Sequence, residues 1–167
     1  MLEFRPSTLK DVNFVRELFK IGVVNGHYKE EILYPNQIEA LVQSKYNLAD
    51  ESQPQTLICT LANKPIGFIV ITIRIGGIIE FHYLSFDEKY QNMGFGDLTI
   101  KYFEDACIKQ CKGAPLFMVR CRESSHGMKS LLKKNNYNEK FLNDSNVTLF
   151  AKCTDKKFLT DFINTMN

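Results

Sequence analysis

An extended apolar run, Ile78 to Phe86, leads through Gln91-Asn92-Met93-Gly94-Phe95-Gly96 into an amphipathic helix, and this junction limits the possible folds more than any other stretch of the chain. A glycine-bearing turn at a helix start leaves backbone N–H groups unpaired and aimed outward, with the positive end of the helix dipole behind them. Such a turn suits an anion, most often a phosphate. The same turn also serves where a tight connection has no room for a side chain. The run itself sets Ile78, Glu80, His82, Leu84 and Phe86 on one face and Ile79, Phe81, Tyr83 and Ser85 on the other. Both faces are largely apolar, which predicts a central strand covered on both sides.

Residues 2 to 6 read as a first strand ending at Pro6, and Thr8-Leu9-Lys10-Asp11 matches a helix capping box. Val12, Val15, Leu18, Phe19 and Gly22 follow at helical spacing. The pattern lapses around Gly26-His27-Tyr28, and a second helix is expected from about Pro35 to Tyr46 on the spacing of Ile38, Leu41 and Val42. After the polar Asp50 to Pro54, the β-branched runs Thr56 to Leu61 and Ile66 to Ile75 flank Asn63-Lys64-Pro65 and read as a hairpin. Gly76-Gly77 then turns the chain into the central strand. The helix after the glycine turn carries Phe95, Leu98, Tyr102, Phe103 and Ala106 as its apolar stripe and ends at Gly113 and Pro115. Leu116 to Cys121 is a strand and Ser125 to Lys134 a helix. Tyr137 to Phe141 and Val147 to Lys152 form a closing hairpin around Asn143 to Asn146. A last helix at about 155 to 166 sets Phe158, Leu159, Phe162, Ile163 and Met166 on one side, to pack on its own sheet or against a second copy. This order predicts a mixed α+β or α/β sheet with helices on both faces.

A chain of 167 residues fits one domain with one core, spanning 1 to 167. A net charge of +2 is too small to call for a polyanion, so no nucleic acid partner is expected. No run approaches the roughly 18 apolar residues of a membrane span, and the start of the chain lacks the apolar core of a signal peptide; the expected location is cytoplasmic, with no membrane partner. The five cysteines are scattered without a Cys-x-x-Cys pair, which suits a reducing compartment. Cys107 and Cys111 share a helix face but have no histidine nearby, and His27, His82 and His126 are isolated from one another, so no metal is expected.

The chain resembles the GNAT-type N-acetyltransferases, over about residues 2 to 152. Gln91-Asn92-Met93-Gly94-Phe95-Gly96 matches that family's Arg/Gln-x-x-Gly-x-Gly/Ala pyrophosphate loop in the right place, between the fourth strand and the third helix. The element order, the opening Arg5-Pro6-x-x-x-x-Asp11 pattern and the segment from Ser125 to Tyr137 add to the likeness. The resemblance implies a mostly antiparallel, twisted sheet of about seven strands, splayed at strands 4 and 5. It also implies acetyl-CoA as cosubstrate and an amine acceptor, in a monomer or homodimer. Backbone amides of Met93 to Gly96 would then hold the pyrophosphate, with Gln91 and Asn92 in the same loop. Gly94 and Gly96 would be small to let the diphosphate approach. Leu84, Ser85 and Phe86 would pair with the pantetheine arm as an added strand. Ser125 falls where the family often has a cofactor-contacting asparagine, and Lys129 and Lys133 are candidate partners of the adenosine phosphate.

Acetyl transfer needs a neutral amine, and an alkyl ammonium is neutral less than about a thousandth of the time at pH 7. Glu80 occupies a strand position similar to the general base of several family members; it also reads as a carboxylate satisfied by a structural partner. His82, two residues on and on the same face, is the second candidate base. Leu132 stands where many family members have a thiolate-protonating tyrosine. That substitution leaves open a second function, an acyl-CoA-binding sensor without chemistry. Tyr28, Glu31 and Tyr34, in the segment between the first two helices, are candidate acceptor contacts through charge pairing and cation–π contact.

Overall fold

The structure, a computed structural model, describes residues 1–45, 53–74, 76–111, 113–142 and 146–166. The elements are β1 (Leu2–Pro6), α1 (Val12–Val24), α2 (Gln37–Val42), β2 (Gln55–Leu61), β3 (Lys64–Arg74), β4 (Ile78–Phe86), α3 (Phe95–Gln110), β5 (Leu116–Arg122), α4 (His126–Lys134), β6 (Asn138–Leu142), β7 (Val147–Cys153) and α5 (Lys156–Thr165). Seven strands form a mixed sheet in the order β1-β2-β3-β4-β5-β7-β6. The β1–β2, β2–β3, β5–β7 and β6–β7 pairs are antiparallel, whereas β4 and β5 are parallel. The parallel register joins Ile78–Phe81 to Leu116–Val119 although β4 continues to Phe86 and β5 to Arg122, the splay expected at strands 4 and 5. The fold is thus the mixed α/β class that the element order implied.

Contacts gather the chain into two compact units. The first holds Met1–Thr72 and His82–Phe95, the second Ile73–Phe81 and Gly96–Asn167. In the first unit, α1 and α2 bury Val15, Leu18, Phe19, Ile38 and Leu41 against Ile58, Phe68 and Val70 of the sheet. The opening Arg5…Asp11 pattern has a structural reason. Asp11 accepts from both Arg5 guanidinium nitrogens at 2.8 and 2.7 Å, and from the Thr8 N–H at 2.8 Å, which ties the end of β1 to the start of α1. In the second unit, α5 covers Leu116, Met118, Leu149 and Ala151 through Leu159, Phe162 and Ile163, joined by Met166 just past its end.

Several boundaries differ from expectation, each for a physical reason. α2 ends at Val42 rather than near Tyr46: Ser44 turns left-handed at φ +54°, and the Leu41 and Val42 carbonyls accept from the Thr56 and Ser7 hydroxyls at 2.9 and 2.6 Å, in place of another helical turn. The β2–β3 turn is Ala62-Asn63, both left-handed at φ +48° and +63°, so Lys64 and Pro65 belong to the strand; a register shift at Cys59/Thr60 accommodates Pro65. β4 is buried on both faces only as far as Phe81; His82 to Ser85 are half-exposed. The stripe of α3 is also rotated from the expected one. Leu98 and Tyr102 are exposed, while Ile100, Phe103 and Cys107 are buried with Thr99 and Glu104. Glu104 can face inward because Lys152 of β7 meets its carboxylate at 2.6 Å. Phe158 of α5 is likewise exposed. Tyr46, Asp50 to Ser52, Ile75 and Asn143 to Ser145, which figure in the expected elements, lie outside the described residues.

Candidate active site

The end of β4 is held from several sides within the first unit. Gly67 of β3 lies so close that a Cβ there would stand 2.5 Å from the Ser85 carbonyl oxygen and from the Phe86 ring, so only glycine fits beneath it. The Asp87 N–H donates to the Ile66 carbonyl at 2.9 Å and anchors the exit of the strand. Tyr28 donates its hydroxyl to the Leu84 carbonyl at 3.1 Å, and Gln91 Nε2 donates to the Phe86 carbonyl at 2.9 Å. The candidate pantetheine edge, Leu84 to Phe86, is therefore a braced strand end.

After a short 3-10 turn at Glu88–Tyr90 the chain enters the glycine turn. Asn92 and Gly94 are both left-handed, at φ +60° and +85°, and α3 starts at Phe95. A side chain at Gly94 would meet no atom within 4 Å, so the space over this turn is open and backbone conformation alone demands glycine there. The Phe95 ring packs on Phe86 and Tyr90 at centroid distances of 6.1 and 6.2 Å, fixing the turn to the strand it leaves. An exposed turn with two left-handed residues at the mouth of a sixteen-residue helix fits a diphosphate. Gly96 also lies close to α4. A Cβ there would stand 3.1 Å from Leu131 Cδ2 of α4.

One residue further on, Asp97 accepts from Lys101 at 2.8 Å, from Asn135 Nδ2 at 2.8 Å and from Lys134 at 3.4 Å. Lys101 foremost, then Asn135, hold its carboxyl down to about 2. A depressed folded-state value stabilises the protein above the ordinary carboxylate range and loses that contribution as pH falls through the folded value. Stability is therefore expected to drop between about pH 4 and 2 partly through Asp97. Urea denaturation across that window is expected to fall less steeply in Asp97→Asn than in the wild type; equal slopes would refute the assignment.

The two candidate bases have different surroundings. Glu80, in the second unit, has a side chain only 2% exposed, and both its oxygens accept from guanidinium groups: Oε2 from Arg74 at 2.8 Å and Oε1 from Arg120. His82, in the first unit, is half-buried, with Nε2 2.8 Å from Oγ1 of the buried Thr72. Neither Arg74, Arg120 nor Thr72 stood out in the sequence. Arg74 had a local signal, since the Gly76-Gly77 turn folds its strand back beside Glu80; Arg120, forty residues on, had none.

The remaining candidates are dispersed. Tyr28 is spent on Leu84, while Glu31 and Tyr34 are exposed near the 3-10 turn Glu30–Leu33. Ser125 stands at the N-cap of α4, half-buried, and its side chain makes no capping hydrogen bond. Lys133 is paired with Glu139 at 2.9 Å. Leu132 is fully buried, and Tyr137 is a core residue beside Glu104 and Lys152; burial first, then Glu104, pushes its phenol well above the ordinary range. Among the described residues no helix is long and apolar enough to cross a membrane.

The sequence profile of the Acetyltransferase (GNAT) family matches residues 24–137, more than half of the chain. The chain belongs to the GNAT acetyltransferase family. No curated protein sequence matches it. Solved structures share the GNAT fold at low identity. Spermidine N-acetyltransferase from Vibrio cholerae, in complex with CoA and spermine, is 17% identical with a TM-score of 0.70, covering 94% of this chain and 98% of that one. PaiA N-acetyltransferase from Thermoplasma acidophilum, in complex with coenzyme A, is 21% identical with a TM-score of 0.63, over 92% and 99%. The acetyl transferase from Salmonella typhimurium that modifies the N-terminal serine of ribosomal protein L7/L12 is 13% identical with a TM-score of 0.70, over 92% and 95%. In this GNAT chain the turn with Asn92 and Gly94 left-handed lies within the matched residues.

Proposed function

We propose that the chain transfers an acetyl group from acetyl-CoA to a primary amine, on a small molecule or a protein, by direct attack in a ternary complex. The observation that carries this reading is the open, left-handed Gly94 at the start of α3 in a chain of the GNAT family. The similar structures in complex with CoA support the donor, and the one that also holds spermine and the one whose enzyme modifies a protein N-terminal serine support an amine acceptor. Amides of Met93 to Gly96 hold the diphosphate, and the braced Leu84–Phe86 edge receives the pantetheine arm, with Ser125 as a further contact. Bound acetyl-CoA supplies an acyl thioester, whose thiolate is a tolerable leaving group without a dedicated acid, which accommodates leucine at position 132.

His82 is the group that takes the amine proton. Glu80 has both oxygens committed to arginines and a side chain almost sealed from solvent, whereas a base must reach the amine it deprotonates directly or through one water. Thr72 holds the imidazole through Nε2, and an imidazole changes charge near neutral pH. Glu31 and Tyr34, exposed and of a chemistry that suits a cation, are the acceptor contacts. The free cysteines suit a reducing cytoplasm.

The first test is thermal. A hundredfold excess of acetyl-CoA over its Kd adds about 2.7 kcal/mol, roughly 5 to 10 °C in Tm for a chain of this size. Gly94→Glu, which strains the left-handed turn and places an anion in the cradle, is expected to abolish the shift. No shift in the wild type would overturn the reading; a shift without turnover on a broad panel of amines would point to a sensor instead.

A further inference from the structure

Tyr28 is built into the first unit with more care than a surface acceptor contact requires. A Cβ at Gly22, in the last turn of α1 and six residues before Tyr28, would overlap the Tyr28 ring, so that glycine makes the notch in which the ring sits. The ring meets Phe19 and Tyr83 edge-on at centroid distances of 5.2 and 5.1 Å. Burial raises its phenol well above the ordinary range, so the hydroxyl keeps its proton at any physiological pH and remains a donor. That donor goes to the Leu84 carbonyl, 56 residues away, at 3.1 Å.

Leu84 and Phe86 are two apart on β4, so in regular strand geometry their peptide groups point to the same side of the strand. Tyr28 holds the first of these carbonyls and Gln91 the second, while Gly67 admits the intervening Ser85 carbonyl on its face. Two of these three carbonyls are thus held by hydrogen bonds from separate segments of the first unit, and the third lies against Gly67. A strand end with no such grip would sample several orientations, and a ligand laid along it would bear the cost of ordering it.

We propose that Tyr28 is a positioning residue for the acyl donor: through the Leu84 carbonyl it sets the peptide edge along which the amide-bearing arm of acetyl-CoA lies. The inference rests on the acetyltransferase reading above and reassigns Tyr28 from the acceptor to the donor side of the reaction. Tyr28 does not touch the reacting atoms. Gly22, Tyr28 and Leu84 act as one device, in which the notch seats the ring and the ring aims the hydroxyl.

Tyr28→Phe keeps the ring in its notch and removes only the donor. Steady-state kinetics in both substrates, with acetyl-CoA binding by calorimetry, are expected to show the Kd and KM for acetyl-CoA raised about 3- to 10-fold, the range set by the loss of one hydrogen bond. The amine KM is expected to stay within twofold and Tm within a few degrees. A raised amine KM with unchanged acetyl-CoA affinity would overturn the proposal in favour of an acceptor contact. Both KM values unchanged, with Tm lowered or not, would overturn it in favour of packing alone. Wild-type protein that binds no acetyl-CoA would overturn the acetyltransferase reading and this inference together, whereas normal wild-type binding with an unaffected Tyr28→Phe overturns only the inference.

Discussion

His82→Ala is expected to lower kcat for acetyl transfer by about 10²- to 10³-fold while leaving the Kd for acetyl-CoA within a few-fold of wild type. General-base contributions span about 10² to 10⁴. The lower part of that range applies because water and a rise in pH both replace some of the lost function. Alanine also removes the partner of the buried Thr72 hydroxyl, which costs roughly 1 kcal/mol and confuses a loss of chemistry with a loss of fold. His82→Gln separates the two, since its amide still reaches for the Thr72 hydroxyl but takes no proton at neutral pH. The expected pair of results is a Tm near wild type in His82→Gln with kcat as low as in alanine. A kcat within threefold of wild type in both variants would remove His82 from the mechanism. If Glu80→Gln then lost 100-fold with its fold intact, the carboxylate would regain the role of base.

The parts of the fold legible in the sequence are those written by local patterning. β4 runs from Ile78 to Phe86 as read, because two glycines fix its start and a largely apolar run without breakers fixes its length. The turn after it shows in the sequence because left-handed backbone selects glycine and asparagine. α3 was harder to place. Its buried face includes Thr99 and Glu104, which a count of apolar residues assigns to solvent, and the inward turn of Glu104 depends on Lys152, 48 residues later. α2 was overextended because its stop comes from hydroxyls of Ser7 and Thr56, 35 residues before and 15 after the carbonyls they cap. The candidate site divides the same way. The glycine turn and both candidate bases are local features, whereas the arginines on Glu80 and the carbonyl under Tyr28 arise only when strands distant in sequence come together. Gly22, in the last turn of α1, carried a hint, since a glycine inside a helix costs up to about 1 kcal/mol against alanine unless a neighbour needs the space. That neighbour is Tyr28.

The opposite emphasis holds for Glu80, whose replacement is expected to cost stability more than chemistry. Its carboxylate is almost fully buried between Arg74 and Arg120, whose side chains are 31% and 42% exposed. Removing one partner of a buried ion pair costs about 3 to 5 kcal/mol, because the remaining charge keeps its desolvation penalty and loses its counterion. Here the remaining charges are guanidiniums partly in water, which recover some hydration, so Glu80→Ala is placed at the lower end, about 3 kcal/mol. For a chain of this size that corresponds to a Tm lower by roughly 6 to 12 °C. The urea midpoint should fall with an unchanged slope, as expected when the loss lies in the folded state. Arg120→Gln should cost less than Glu80→Ala, because Arg74 still pairs the buried carboxylate. In the Glu80→Ala, Arg120→Gln double variant the two losses should sum to more than the measured total, the signature of a shared contact. Glu80→Ala with wild-type stability would show that the arginine clamp contributes nothing to the fold and would reopen Glu80 as a residue kept for chemistry.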